Sequence, residues 1–124
     1  MIAEALQLAA GLNLACSGIE ISGRIDHGMM RDRREAPFST TFRVDPVAKL
    51  WCADDCSAVK PLHGTSDKLI TFEFAWEKDV QLISSVSLEN GELLLNDRDK
   101  RHWTVRRGTC RPAAFTGFPE GAAP

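Results

Sequence analysis

A chain of 124 residues with 44% hydrophobic and 26% charged side chains has room for one modest core, which excludes both a multidomain architecture and a disordered, apolar-poor segment. Its formal charge of -2 excludes the broadly basic surface with which a general nucleic-acid binder displaces counterions. No apolar run approaches the roughly eighteen residues of a membrane-crossing helix, so no integral membrane span is expected.

Residues 1–11 read as an apolar leader or a short helix, since Leu6 to Ala15 is apolar but for Gln7 and Asn13. A secretory leader begins with positive charge, whereas the first basic residue is Arg24 and Glu4 is acidic. The leader is therefore atypical, and a cytoplasmic chain is the alternative. A single β domain is expected over residues 12–111. Leu12, Leu14 and Cys16 share a parity that Ile19 and Ile21 break, which a bulge at Ser17-Gly18 would reconcile. Between Gly23 and Pro37 the chain is charged and aperiodic and reads as a loop.

After Pro37 a period of two dominates. Phe38, Thr40, Phe42 and Val44 fall on one face of a strand that Asp45-Pro46 ends, and the chain returns as Ala48 to Cys52. A loop over Ala53 to Asp67 follows. The next strand places Ile70, Phe72, Phe74 and Trp76 on the core side, and the one after it Val80, Leu82, Val86 and Leu88 with Ser84 among them. Asn90-Gly91 signals a two-residue type I′ hairpin with Leu88 facing Leu93 and Val86 facing Leu95. A turn at Asp97 to Lys100 leads to a strand carrying Trp103 and Val105 inward, ended by Gly108; residues 112–124, rich in Pro, Gly and Ala, read as an irregular tail. The fold expected is all-β, an antiparallel meander of six to seven strands closed as a small barrel or sandwich.

Four cysteines allow three connectivities. If the meander closes, Cys16 on its first strand neighbours Cys110 on its last, leaving Cys52 and Cys56 to staple their own turn around Asp54 and Asp55. Such bridges imply an oxidising compartment, periplasmic or secreted. The competing reading is a metal site from Cys52, Cys56 and His63 with Asp54 or Asp55, although that spacing is wider than a zinc knuckle's. A redox pair is disfavoured, because two aspartates would raise the thiol pKa.

The segments "LNLACSG", "FRVD" followed by "WCADDC", "VQLISSVSLENGELLL" and "GTCRPAAFTGFP" together resemble a group of uncharacterised small exported proteobacterial β proteins. The resemblance implies export and a stapled β fold for Leu12 to Pro119, with Trp51, Cys52, Cys56, Cys110 and Phe115 to Pro119 as its recurring residues. It implies no activity. Periplasmic lysozyme inhibitors are similar in architecture only, since their tyrosine-containing motifs are absent from a chain without tyrosine.

Catalytic residues are not expected. His27 sits among solvated charges, His63 in a turn, and His102 alternates away from Trp103; no nucleophile elbow, phosphate loop or paired-histidine metal motif occurs. Arg31, Arg33, Arg34 and the cluster Lys100, Arg101, Arg106, Arg107 are interleaved with acids, as on a mixed solvated surface. Met29 and Met30, with Phe115 and Phe118, are the candidate binding surface. The expected function is non-catalytic binding of a protein or envelope component without a cofactor, with a metalloprotein and a periplasmic hydrolase inhibitor as alternatives.

Overall fold

The computed structural model describes residues 11–119. The expected leader or helix at 1–11 lies outside that range but for Gly11. All described elements are strands: β1 (Leu12–Asp26), β2 (Met29–Asp45), β3 (Leu50–Ala53), β4 (Lys60–Pro61), β5 (Gly64–Thr65), β6 (Leu69–Glu77), β7 (Val80–Ser87), β8 (Glu92–Arg98) and β9 (His102–Ala114). They form one antiparallel sheet in the order β4-β3-β2-β1-β9-β8-β7-β6-β5. Nine strands replace the six to seven expected, because short pairs such as Lys60–Pro61 leave no periodic signal.

The sheet curls into a half-barrel. Its edge strands β4 and β5 are joined through Leu62 and His63; Leu62 N–H donates to Lys49 O on the β3 side and His63 N–H to Phe72 O on β6. This crossing draws the edges together at one end, where Leu14, Val44, Ile70, Phe72, Val86 and Leu88 form a fully buried core. Cys16 and Cys110 sit opposite each other on β1 and β9 and are bridged, with Cα atoms 4.0 Å apart. Cys52 and Cys56 are bridged within their own turn. Both pairs fit an oxidising environment.

Several expectations are corrected. The segment 23–37 is not a loop: β1 and β2 run on as a hairpin, turning at His27 and Gly28, both with positive φ as a type I′ turn needs. Both faces of this hairpin are wet, so its strands carry no apolar alternation, and backbone pairing alone defines them. The ladder slips between Ser22 and Arg24, with Asp32 in the left-handed region, rather than at Ser17-Gly18. Ile19 accordingly faces outward, 43% exposed.

The hairpin around Asn90 is wider than expected, with Val86 facing Leu93 and Ser84 facing Leu95. Leu88 N–H donates to Lys68 O instead, and Gly91, not Asn90, takes the positive φ. A two-residue turn would also have set Glu89 opposite Glu92, a like-charge pair that the observed register avoids. Strand β9 extends through Pro112 to Ala114 along β1, beyond the reach of β8, so the proline lies on a free ladder edge where its missing N–H costs nothing.

The most consequential difference lies in β6. Thr71 pairs with Ser85 and Glu73 with Ser84, leaving Phe72 as an extra residue in a bulge. A bulge of one residue reverses the facing of everything after it. Ile70 and Phe72 point into the core, whereas Phe74 and Trp76, expected beside them, are 48% and 63% exposed on the outside. Trp103 and Val105 are also on the outer face, where the Trp103 indole donates to Asn96 Oδ1 at 2.8 Å and lies beneath the Arg98 guanidinium at 4.4 Å.

Candidate functional site

Successive rows across the inner face change character in a single step. One row runs Ile70, Val86, Leu93, Gly108, Gly18, Phe38 and is almost wholly apolar. The next runs Glu73, Ser84, Leu95, Arg106, Glu20. Beyond it stand Ala75, Leu82, Asp97, Thr104 and Ser22. The core therefore fills only one end of the half-barrel, and above it the curl encloses an open cup of about 450 Å³. That volume is in the range of small-ligand sites, roughly 300–1,000 Å³.

The floor is aromatic. Phe42 and Phe72 stack with centroids 4.4 Å apart, and Trp51 tilts against both, at 5.9 and 5.0 Å. The Trp51 indole N–H donates to Pro61 O at 3.2 Å, which fixes the ring and satisfies its polar edge. Trp51 thus packs on rings of β2 and β6, not on the neighbouring disulfide. Gly18 and Gly108 lie facing each other in the row beneath.

The walls mix apolar and polar side chains, and their charged groups are mostly acidic: Glu20, Asp54, Glu73 and Asp97 line the cup with a single guanidinium, that of Arg106. Arg106 Nε donates to Glu20 Oε1 at 2.7 Å, and its guanidinium also lies 5.2 Å from the Phe38 ring. That cation is committed to Glu20 and Phe38. Asp54 is held by the Cys52–Cys56 staple: Cys56 N–H donates to Ala53 O, closing a turn in which Asp54 takes positive φ, and Asp54 Oδ1 accepts from Thr40 Oγ1 at 2.8 Å and from the Thr41 amide at 3.2 Å. Glu73 and Asp97 form no ion pair among the described residues. Ser84 is only 5% exposed, yet its hydroxyl lines the cup and has no hydrogen-bond partner among the described residues. Among the described residues no fully buried side-chain oxygen lacks a partner, so the Ser84 hydroxyl is open to the cup, where a ligand atom or water can pair with it.

The residues singled out from sequence are not brought together. Met29, 58% exposed, and Met30 open β2 beside the hairpin tip, whereas Phe115 and Phe118 pack edge to face at 5.4 Å in the segment after β9. Along β1 these sites lie roughly 45 Å apart at the usual rise per residue. Phe118 packs on the cluster of Cys52, Cys56 and Val59, and Arg43 Nη1 donates to Gly117 O at 3.0 Å. Phe115 and Phe118 therefore anchor the tail. The proposed ligand set of Cys52, Cys56 and His63 is also dispersed: the two sulfurs are bonded to each other, and the His63 ring lies 5.3 Å from Phe74.

No family model, no curated protein and no solved structure matches this chain. Its function must be argued from the cup. Sequence reasoning missed Glu73 because simple alternation puts it outside, and Asp97 because it reads as the start of a turn, whereas β8 continues to Arg98 and pairs Asp97 with Leu82; the one legible hint was Ser84, a polar residue on an otherwise aliphatic strand face.

Proposed function

We propose that this chain is a non-catalytic binding protein of an oxidising compartment, periplasmic or secreted, that takes a small ligand into the open end of its half-barrel. The observation that carries the reading is the abrupt replacement of core by cup between two adjacent rows, with the Ser84 hydroxyl opening into the cup at the boundary. A protein needing only stability gains nothing from polar residues on the inner face of a curled sheet, since each forgoes apolar burial worth about 25 cal/mol per Å². Two disulfides supply rigidity of the kind that preorganises a site and reduces the entropic cost of binding. The resemblance to small exported β proteins agrees with this compartment.

The test is a fragment screen on the isotopically labelled full chain by NMR. Perturbations should concentrate at Leu82, Ser84, Leu95 and Thr104. If every fragment that binds instead perturbs the outer face around Phe74 and Trp76, the reading fails.

A further inference from the structure

We infer that the cup selects an organic cation: an amine with an apolar body, its ammonium group held by Glu73 and Asp97 beside the Ser84 hydroxyl. This rests on the binding role proposed above and adds the charge and shape of the ligand. Four carboxylates and one guanidinium line the cup, and the guanidinium already serves Glu20. Glu20 and Glu73 are half-buried while Asp54 and Asp97 are exposed at the rim, and a concave wall of one sign concentrates ligands of opposite sign. Anions would meet unpaired carboxylates, and a neutral ligand would leave them without a counter-charge.

The dispersal of the acids argues for an organic cation over a bare metal ion. Among the described residues no group of three or more His, Cys, Asp or Glu side chains stands close enough to hold a metal ion. Glu73 and Asp97 instead stand one row apart on β6 and β8, on either side of Ser84 and Leu82 of β7. An ammonium donates three hydrogen bonds, which match two carboxylates and one hydroxyl. Leu82, Leu95 and the Phe42 and Trp51 edges offer apolar contact for the remainder of the molecule. The bulge at Phe72 is what creates this chemistry, because in an unbroken ladder Phe72 would stand opposite Ser84 where Glu73 does, and Glu73 would face outward.

Three isosteric probes separate charge from shape: 2-phenylethylamine, 2-phenylethanol and phenylacetate. Each is titrated into the full chain carrying Trp76→Phe and Trp103→Phe, so that emission reports Trp51 alone. The amine should bind at least about tenfold more tightly than the alcohol, with phenylacetate weakest, as expected for a charge pair that is partly desolvated. Glu73→Gln and Asp97→Asn should each weaken the amine about fivefold or more and leave the alcohol unchanged. Amine binding no tighter than that of the alcohol, or insensitive to both substitutions, overturns the cation assignment while leaving a binding cup in place. A Trp51 signal unmoved by all three probes, in a chain whose circular dichroism matches the parent, overturns both proposals.

Discussion

Gly18 of β1 and Gly108 of β9 face each other across the ladder, just beyond the Cys16–Cys110 bridge, at a point where neither strand has room for a β-carbon. A Cβ on Gly108 would stand 2.1 Å from the Ser17 carbonyl oxygen, and one on Gly18 2.0 Å from that of Arg107. The obstructing atoms belong to the backbone ladder, so no side-chain rotation can relieve the clash. Gly108→Ala and Gly18→Ala should each destabilise the fold by about 2–3 kcal/mol, in the range of overpacked interiors. Urea unfolding measures this. An unchanged midpoint for either variant would mean that the strands separate there without cost.

The two disulfides should differ in thermodynamic weight. They span 94 and 4 residues of sequence, and in the chain-entropy model these loops contribute about 4.6 and about 2 kcal/mol. Replacing Cys16 and Cys110 together by serine should therefore lower the unfolding midpoint more than the same change at Cys52 and Cys56. Thiol alkylation of the native, unreduced chain should label none of the four cysteines. Labelling of any of them would contradict the bridged state and the oxidising compartment argued from it.

Phenylalanines two positions apart on β6 should respond oppositely to truncation. Phe72 is 1% exposed and stacked on Phe42, so Phe72→Ala should cost about 3–5 kcal/mol. Phe74 and Trp76 are on the outside, and Phe74→Ser or Trp76→Ser should fall within about 0.5 kcal/mol of the parent. Thermal melts of the three variants decide it. Comparable losses at Phe72 and Phe74 would place both rings in the core and remove the bulge.

The turn between β8 and β9 should be sensitive to acid. The Arg101 amide, at 2.7 Å, and the His102 amide, at 2.8 Å, donate to Asp99 Oδ1 and hold its carboxyl below the usual aspartate value. Because the folded pKa is the lower one, the contribution of this cap is fully present above the unfolded value, about 3.9, and is lost as pH falls through the folded value. A carboxyl-carbon NMR titration should find Asp99 titrating below the ordinary value for a free aspartate. A midpoint at or above that value would mean the cap does not form in solution.

Legibility in the sequence followed a physical division. Strands with one dry face, such as 38–44, were readable because burial imposes alternation on them. The hairpin of residues 23–37 was not, because its wet faces impose no pattern and backbone pairing, with the exposed Arg24–Asp32 pair, holds it. The cup was hidden for a different reason: period-two reading assumes an uninterrupted ladder and so places Glu73 outside and Phe74 inside, whereas the one unpaired residue at Phe72 reverses both. The metal alternative at Cys52 and Cys56 likewise depended on what the sulfurs had for neighbours, which spacing along the chain does not specify.

By itself the amino-acid sequence determined the β class and the turn after Asp45, because these follow from local propensity and side-chain period. Only the tertiary structure decided which residues face the cup and that the core stops halfway along the barrel. Facing in a sheet is relational, set by how each strand registers against its neighbours, and the bulge that sets it here is settled between β6 and β7 rather than within either.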